Sequence, residues 1–160
     1  VLTCAVQPGV VAVGKKSLVW LPLFGILFYL SGNILIDRSN RSRAIDTIRQ
    51  VVDKIRERRL SIWMFPEGTR SRGRGLLPFK TGAFHTAMQA GVPIVPIVAS
   101  SYATQVDLNR WDNGEVCIEM LAPVDSQQWA RDQVRECSEV IRAQMVAKLA
   151  ELDQQARRPA

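Results

Sequence analysis

The stretch IWMFPEGTRSRGRGLLPFKTG, Ile62 to Gly82, sets one carboxylate, Glu67, ahead of Arg70, Arg72, Arg74 and Lys80, with glycines at 68, 73, 75 and 82. These residue types suit the binding of a phosphate monoester. Arg70 offers a planar guanidinium fork that matches two phosphate oxygens. Gly68 permits a tight turn and a close approach of backbone N–H groups to a ligand, and Thr69 adds a hydroxyl. Lys80 stands where a following helix begins, and exposed N–H groups there favour an anion as well. Glu67 would repel a phosphate it touched, so its chemical use is to orient a guanidinium or an acceptor hydroxyl. A solvated basic loop with Glu67 compensating one arginine fits the same residues, and the types alone leave both readings open. The glycine and lysine spacings match neither a Walker phosphate loop nor a dinucleotide fingerprint.

Other cations extend the field. Between Arg38 and Lys80, twelve Lys or Arg face four acids, so this segment alone exceeds the formal charge of +6 carried by the whole chain. That balance implies an anionic partner. Nucleic acid is disfavoured, because the aromatics lie in apolar runs and do not alternate with the basic residues as stacking platforms do. Lys15 and Lys16 follow the apolar run GVVAV, and Arg38 ends GNILIDR, where it suits either a phosphate or a local ion pair with Asp37. The one histidine, His85, lies inside a short helical pattern, where packing competes with a role as base. Cys4, Cys117 and Cys137 are an odd, scattered set with neither a disulfide framework nor metal-ligand spacing, as in a reducing compartment.

The elements that must hold these residues follow from periodicity. At 160 residues, 47% of them hydrophobic, the chain can bury one sizeable core. Gly9–Val13, LSIWMF, VPIVPIV and EVCIEM read as strands, with Pro93 and Pro96 confining part of the third to an edge or bulge. NRSRAIDTIRQVVDKIRERR has Ala44, Ile45, Ile48, Val51, Val52 and Ile55 at helical spacing. KTGAFHTAMQAG predicts a short helix ending at Gly91, and Ser126 to about Ala150 a long amphipathic one. Ser17–Gly32 is the most apolar run, but Pro22, Gly25 and Gly32 interrupt it, so it reads as a buried or membrane-contacting segment in which extended or irregular chain resumes near Phe28. The alternation predicts an α/β fold, a mostly parallel or mixed central sheet covered by helices. Ligands then gather beyond the carboxyl ends of its strands, where Lys15 and the Glu67 loop lie.

GNILIDR, FPEGTRSRGRG, FKTGAF and VPIVP, in that order, resemble the glycerophospholipid acyltransferase family, from about Val1 to Asp125. The resemblance implies transfer of a fatty acyl group from acyl-CoA or acyl carrier protein to the sn-2 hydroxyl of 1-acyl-sn-glycerol 3-phosphate, giving phosphatidic acid in phospholipid biosynthesis. It implies no metal and no other cofactor. Carried onto this chain, the acceptor site comprises Arg38, Glu67, Gly68, Thr69 and Arg70, with Lys15 and Lys80 as additions, and VPIVP supports the sheet. The expected partners are lysophosphatidic acid, the acyl donor and membrane lipids, with peripheral or N-terminally anchored association at the cytoplasmic face of the inner membrane.

The family's catalytic motif, Asn-His, four variable residues and Asp, does not occur in this sequence, and His85 follows the Glu-Gly-Thr-Arg segment where the motif precedes it. With 14 residues ahead of Lys15, the expectation is that the motif lies upstream of Val1. Residues 1–152 are then the C-terminal majority of an acyltransferase domain incomplete at its N-terminus, 153–160 a frayed polar tail, and no catalytic residue is assigned. A related enzyme with another acceptor, or a non-enzymatic module binding phosphate or anionic lipid, fits the same residues.

Overall fold

The computed structural model describes residues 9–15, 24–30, 33–36, 51–53, 55–57, 59–102, 106, 109 and 115–156. They fall into two compact units, one within Gln7–Phe65 and the other from Pro66 onward.

In the first unit, strand β1 (Val10–Lys15) lies between β2 (Ile34–Ile36) and β3 (Ser61–Trp63), and both pairings are parallel. The two neighbours use different halves of β1. Val10–Ala12 pair with Ser61–Trp63, and Val13–Lys15 with Ile34–Ile36. Val11 and Val13, two apart and therefore on one face, are both buried. Asn33 supports the joint between the halves: its side-chain oxygen accepts the Ala12 N–H at 2.8 Å. β1 runs through Gly14 and Lys15, past the strand end expected at Val13, because ladder pairing with Leu35 and Ile36 uses backbone groups that any side chain leaves available. Helix α1 (Phe24–Leu30) takes in Phe28 and Leu30, where irregular chain was expected. Of the long helix expected over 40–59, residues 51–53 and 55–57 are described and helical, with Val51, Val52 and Ile55 buried as the spacing requires.

In the second unit, β4 (Ile97–Ala99) and β5 (Ile118–Met120) pair antiparallel, and an isolated bridge joins Ile94 to Val124. Pro93 and Pro96 lack the N–H a ladder needs, which reduces VPIVPIV to that bridge and a three-residue strand. Helix α2 (Gly82–Ala90) stops at Gly91, whose φ of 70° makes the left-handed cap that glycine adopts freely. Helix α3 (Val134–Gln155) begins later than its expected start at Ser126. Asp125 caps a 3-10 turn at Ser126–Gln128, accepting the Gln127 N–H at 2.9 Å, and Trp129 is extended before a second such turn at Arg131–Gln133. At its other end α3 passes the expected boundary at 152. The Asp153 carboxylate accepts both the N–H and the hydroxyl of Ser101, at 2.6 and 2.8 Å. Phe84 of α2, Val98 of β4, and Val134, Cys137, Ile141, Met145 and Leu152 of α3 form the core of this unit. Leu76 and Phe79 pack against it from the basic loop. The sheets and flanking helices make an α/β fold, as the alternation predicts.

Candidate functional site

The loop from Pro66 to Lys80 is closed at its base by backbone, where the Lys80 N–H donates to the Pro66 carbonyl at 2.8 Å. Gly68 turns within it at φ +67°. The Lys80 side chain lies over that turn, so that a Cβ added at Gly68 would stand 3.1 Å from Lys80 Cδ and 3.2 Å from both Cε and Nζ. The fold thus brings together two of the expected site residues that are twelve positions apart in sequence. Glu67 is half-buried, and its Oε2 is fully buried without a hydrogen-bond partner among the described residues. Thr69 and Arg70 are exposed.

Beyond Arg70 the loop folds on itself. Arg74 donates to the Ser71 carbonyl twice, from its backbone N–H at 3.3 Å and from Nε at 2.9 Å. Arg72, Gly73 and Gly75 all have positive φ, at 54°, 82° and 71°. The loop is then anchored from a distance. Arg142 of α3 donates from Nη2 to the Leu76 carbonyl at 2.8 Å and from Nε to the Leu77 carbonyl at 3.1 Å. Sequence reading passed over Arg142. Its one available signal is position: it lies four residues after buried Ser138 and three before buried Met145, on the border of the apolar stripe of α3, where a long basic side chain lays its stem on apolar surface.

The other expected residues are placed as follows. Lys15 ends β1 and pairs with Ile36, two residues before Arg38 in sequence; Arg38 itself lies outside the described residues. His85 is half-buried in α2, with its backbone N–H bonded to the Thr81 carbonyl at 3.0 Å. Among the described residues, no group of three or more His, Cys, Asp or Glu is arranged to hold a metal ion.

The comparisons with known proteins bear on the chain as a whole. A solved structure from Thermotoga maritima, described as a 1-acyl-sn-glycerophosphate (LPA) acyltransferase, superposes with a TM-score of 0.70 over 94% of this chain and 58% of its own at 22% identity, which shows a shared fold. Proteins named 1-acyl-sn-glycerol-3-phosphate acyltransferase are 60% identical in Salmonella typhimurium and 59% identical in Escherichia coli, each over 94% of this chain. A yeast protein of the same name, from Saccharomyces cerevisiae, is 39% identical over 91% of it. The chain spans 61% of the length of the two bacterial relatives and 49% of the yeast one. The profile of the Acyltransferase family matches residues 1–100, and with that match over more than half of its length the chain belongs to the acyltransferase family.

Proposed function

We propose that the protein bearing this chain transfers a fatty acyl group from acyl-CoA or acyl carrier protein to the sn-2 hydroxyl of 1-acyl-sn-glycerol 3-phosphate, and that this chain supplies the site for the acceptor's phosphate. The observation that carries the reading is the Glu67–Arg70 turn, left-handed at Gly68, overlain by Lys80 and presenting an exposed Arg70. A phosphate monoester carries up to two negative charges, and a guanidinium and an ammonium on one turn answer both. Arg38 and Lys15 complete the proposed set. Glu67 orients a guanidinium or the acceptor hydroxyl; its buried Oε2, without a hydrogen-bond partner among the described residues, is an acceptor open to that use.

In the reaction the acceptor hydroxyl attacks the thioester carbonyl, the new ester bond forms, and the thiolate of the donor leaves. The hydroxyl proton passes to a base, which by the family resemblance is the histidine of the Asn-His-x4-Asp motif. Peripheral membrane association at the cytoplasmic face of the inner membrane belongs to the same proposal. It is supported by Ile26, Leu27 and Leu30, which are 63%, 63% and 73% exposed along one side of α1, because apolar side chains on such a surface enter the interface beside basic residues. Among the described residues, no helix is long and apolar enough to cross a membrane.

The test uses the protein together with whatever segment is encoded upstream of Val1, supplied with lysophosphatidic acid and either donor. Arg70→Ala and Arg38→Ala lower acceptor-dependent kcat/KM by about 10- to 100-fold, the loss of one charge-assisted contact of roughly 1.5–3 kcal/mol. Arg74→Ala, whose side chain is engaged with Ser71, changes it by less than about 3-fold, and Arg70→Lys recovers only part of the loss because an ammonium cannot form the fork. Equal small effects at positions 70 and 74 would reduce the loop to a diffuse electrostatic surface and leave the phosphate-binding module without a clamp.

A further inference from the structure

We propose that Arg142 is a positioning residue for acceptor binding: its guanidinium fixes the basic loop in the shape that presents Arg70 and Lys80. This rests on the acceptor site proposed above.

The loop needs such a fixture. Gly68, Arg72, Gly73 and Gly75 all hold positive φ, and a segment with three glycines surrenders more backbone freedom on ordering than other chain. Residues 72–75 are exposed, so packing does not hold them. The base is fixed by the Lys80–Pro66 backbone bond, and Leu76 and Phe79 rest on the core. Between these anchors the backbone direction is set by two successive carbonyls, Leu76 and Leu77, and both point to one edge of the Arg142 guanidinium. Arg142 is itself held firmly. It belongs to the 22-residue helix α3 and adjoins Ile141, which is 1% exposed. Its distance from the loop in sequence, 65 and 66 residues from Leu77 and Leu76, lets the core of the second unit dictate loop shape. A planar fork holds two carbonyls in one plane, whereas a lysine ammonium at the same position is a point donor on a mobile stem.

The experiment compares wild type, Arg142→Met, Arg142→Lys, Arg70→Ala and the Arg142→Met/Arg70→Ala double variant in the complete protein. Two readouts separate positioning from general stability. Native-state trypsin cleavage after Arg70, Arg72 and Arg74 reports opening of the loop alone; Arg142→Met raises its rate by about tenfold or more while the melting transition stays cooperative. Acceptor KM rises about 5- to 20-fold in Arg142→Met with kcat within about twofold, the pattern of lost substrate binding, and Arg142→Lys falls between. In the Arg70→Ala background the further rise in KM shrinks to less than about threefold, because residues acting through one another are not additive. Arg142→Lys, which keeps the charge and most of the stem, carries the test if Arg142→Met fails to fold. Unchanged loop cleavage, or KM effects of the two substitutions that multiply in full, overturns the positioning role. Impaired acceptor use in Arg70→Ala beside a silent Arg142→Met overturns it alone; a silent Arg70→Ala overturns the acceptor site and this inference with it.

Discussion

Gly68→Ala and Gly73→Ala impose the same backbone strain in different surroundings, so together they isolate the contact between Lys80 and the turn. Both glycines are left-handed, at φ +67° and +82°. An alanine there costs about 1–2 kcal/mol in steric strain, offset by about 0.4–1 kcal/mol from a stiffer unfolded chain. Each variant should therefore lose about 1 kcal/mol, seen as a melting temperature lower by roughly 2–4 °C. The added methyl at 73 meets nothing within 4 Å, whereas at 68 it meets Lys80 Cδ, Cε and Nζ at 3.1–3.2 Å. Lys80 is exposed on a flexible stem, so it gives way by at least a few tenths of an ångström and its ammonium shifts from its place over the turn. If that ammonium binds the acceptor phosphate, Gly68→Ala loses a further contact of about 0.5–1.5 kcal/mol, a two- to tenfold rise in acceptor KM beyond that of Gly73→Ala. The assay is acceptor saturation at fixed acyl donor, with both variants repeated in a Lys80→Met background, where the difference between them should vanish. Equal KM values for the two alanine variants, or a difference that survives removal of Lys80, would refute the reasoning.

The remaining predictions concern the scaffold. Hydrogen bonds first to Glu151 and then to Glu119 hold the Lys148 ammonium above the ordinary lysine range, so its stabilising effect is complete below about pH 10.4 and fades as pH rises through the raised folded value. The gap in melting temperature between wild type and Lys148→Met should stay level from pH 7 to 10 and narrow above that; a gap independent of pH to 11 would contradict it. Burial pushes the Cys137 thiol up, and the residue is 0% exposed; maleimide should label half-buried Cys117 at least about tenfold faster in the native state, with Cys137 reacting only through opening of the core. Asp153→Asn should weaken the double contact to Ser101 by about 1 kcal/mol and speed hydrogen exchange at the Ser101 amide; unchanged exchange would show that the carboxylate does not hold this strand end.

The parts of the fold legible in the sequence are those whose signal is local. The period of apolar residues in α3 and the glycine at 91 that stops α2 each act within a few residues of the structure they determine. The start of α3 was misplaced because Asp125 opens a 3-10 turn with the same side-chain capping that would open a helix, and only the extended Trp129 separates the two outcomes. Strand lengths were misjudged in both directions because they depend on partners: pairing with Leu35 and Ile36 carries β1 past Val13 to Lys15. Apolar character runs through LSIWMF, yet pairing with β1 covers Ser61–Trp63 alone. In the first unit α1 continues to Leu30, past Phe28, where the apolar run was expected to turn irregular or extended.

The candidate site reads in the sequence as a cluster of cations suited to an anion, without a division of labour among them. Composition supplies more cations than one phosphate can use, and residue type alone ranks Arg70, Arg72, Arg74 and Lys80 equally. What ranks them is the engagement each already has in the folded chain. Arg74 donates Nε to Ser71 and so shapes its own turn. Lys80 lies over Gly68 at a distance set by the absence of a Cβ. Arg142, far off in sequence, uses two of its donors on loop carbonyls. Arg70 is exposed and, among the described residues, makes no hydrogen bond or ion pair. A guanidinium already committed to backbone carbonyls would have to give up those bonds to take a ligand, and an exposed one exchanges only water. Arg72 is exposed and equally without such a bond among the described residues, so that ground sets Arg74 and Arg142 aside, and the proposal of Arg70 over Arg72 rests on its place beside the Gly68 turn.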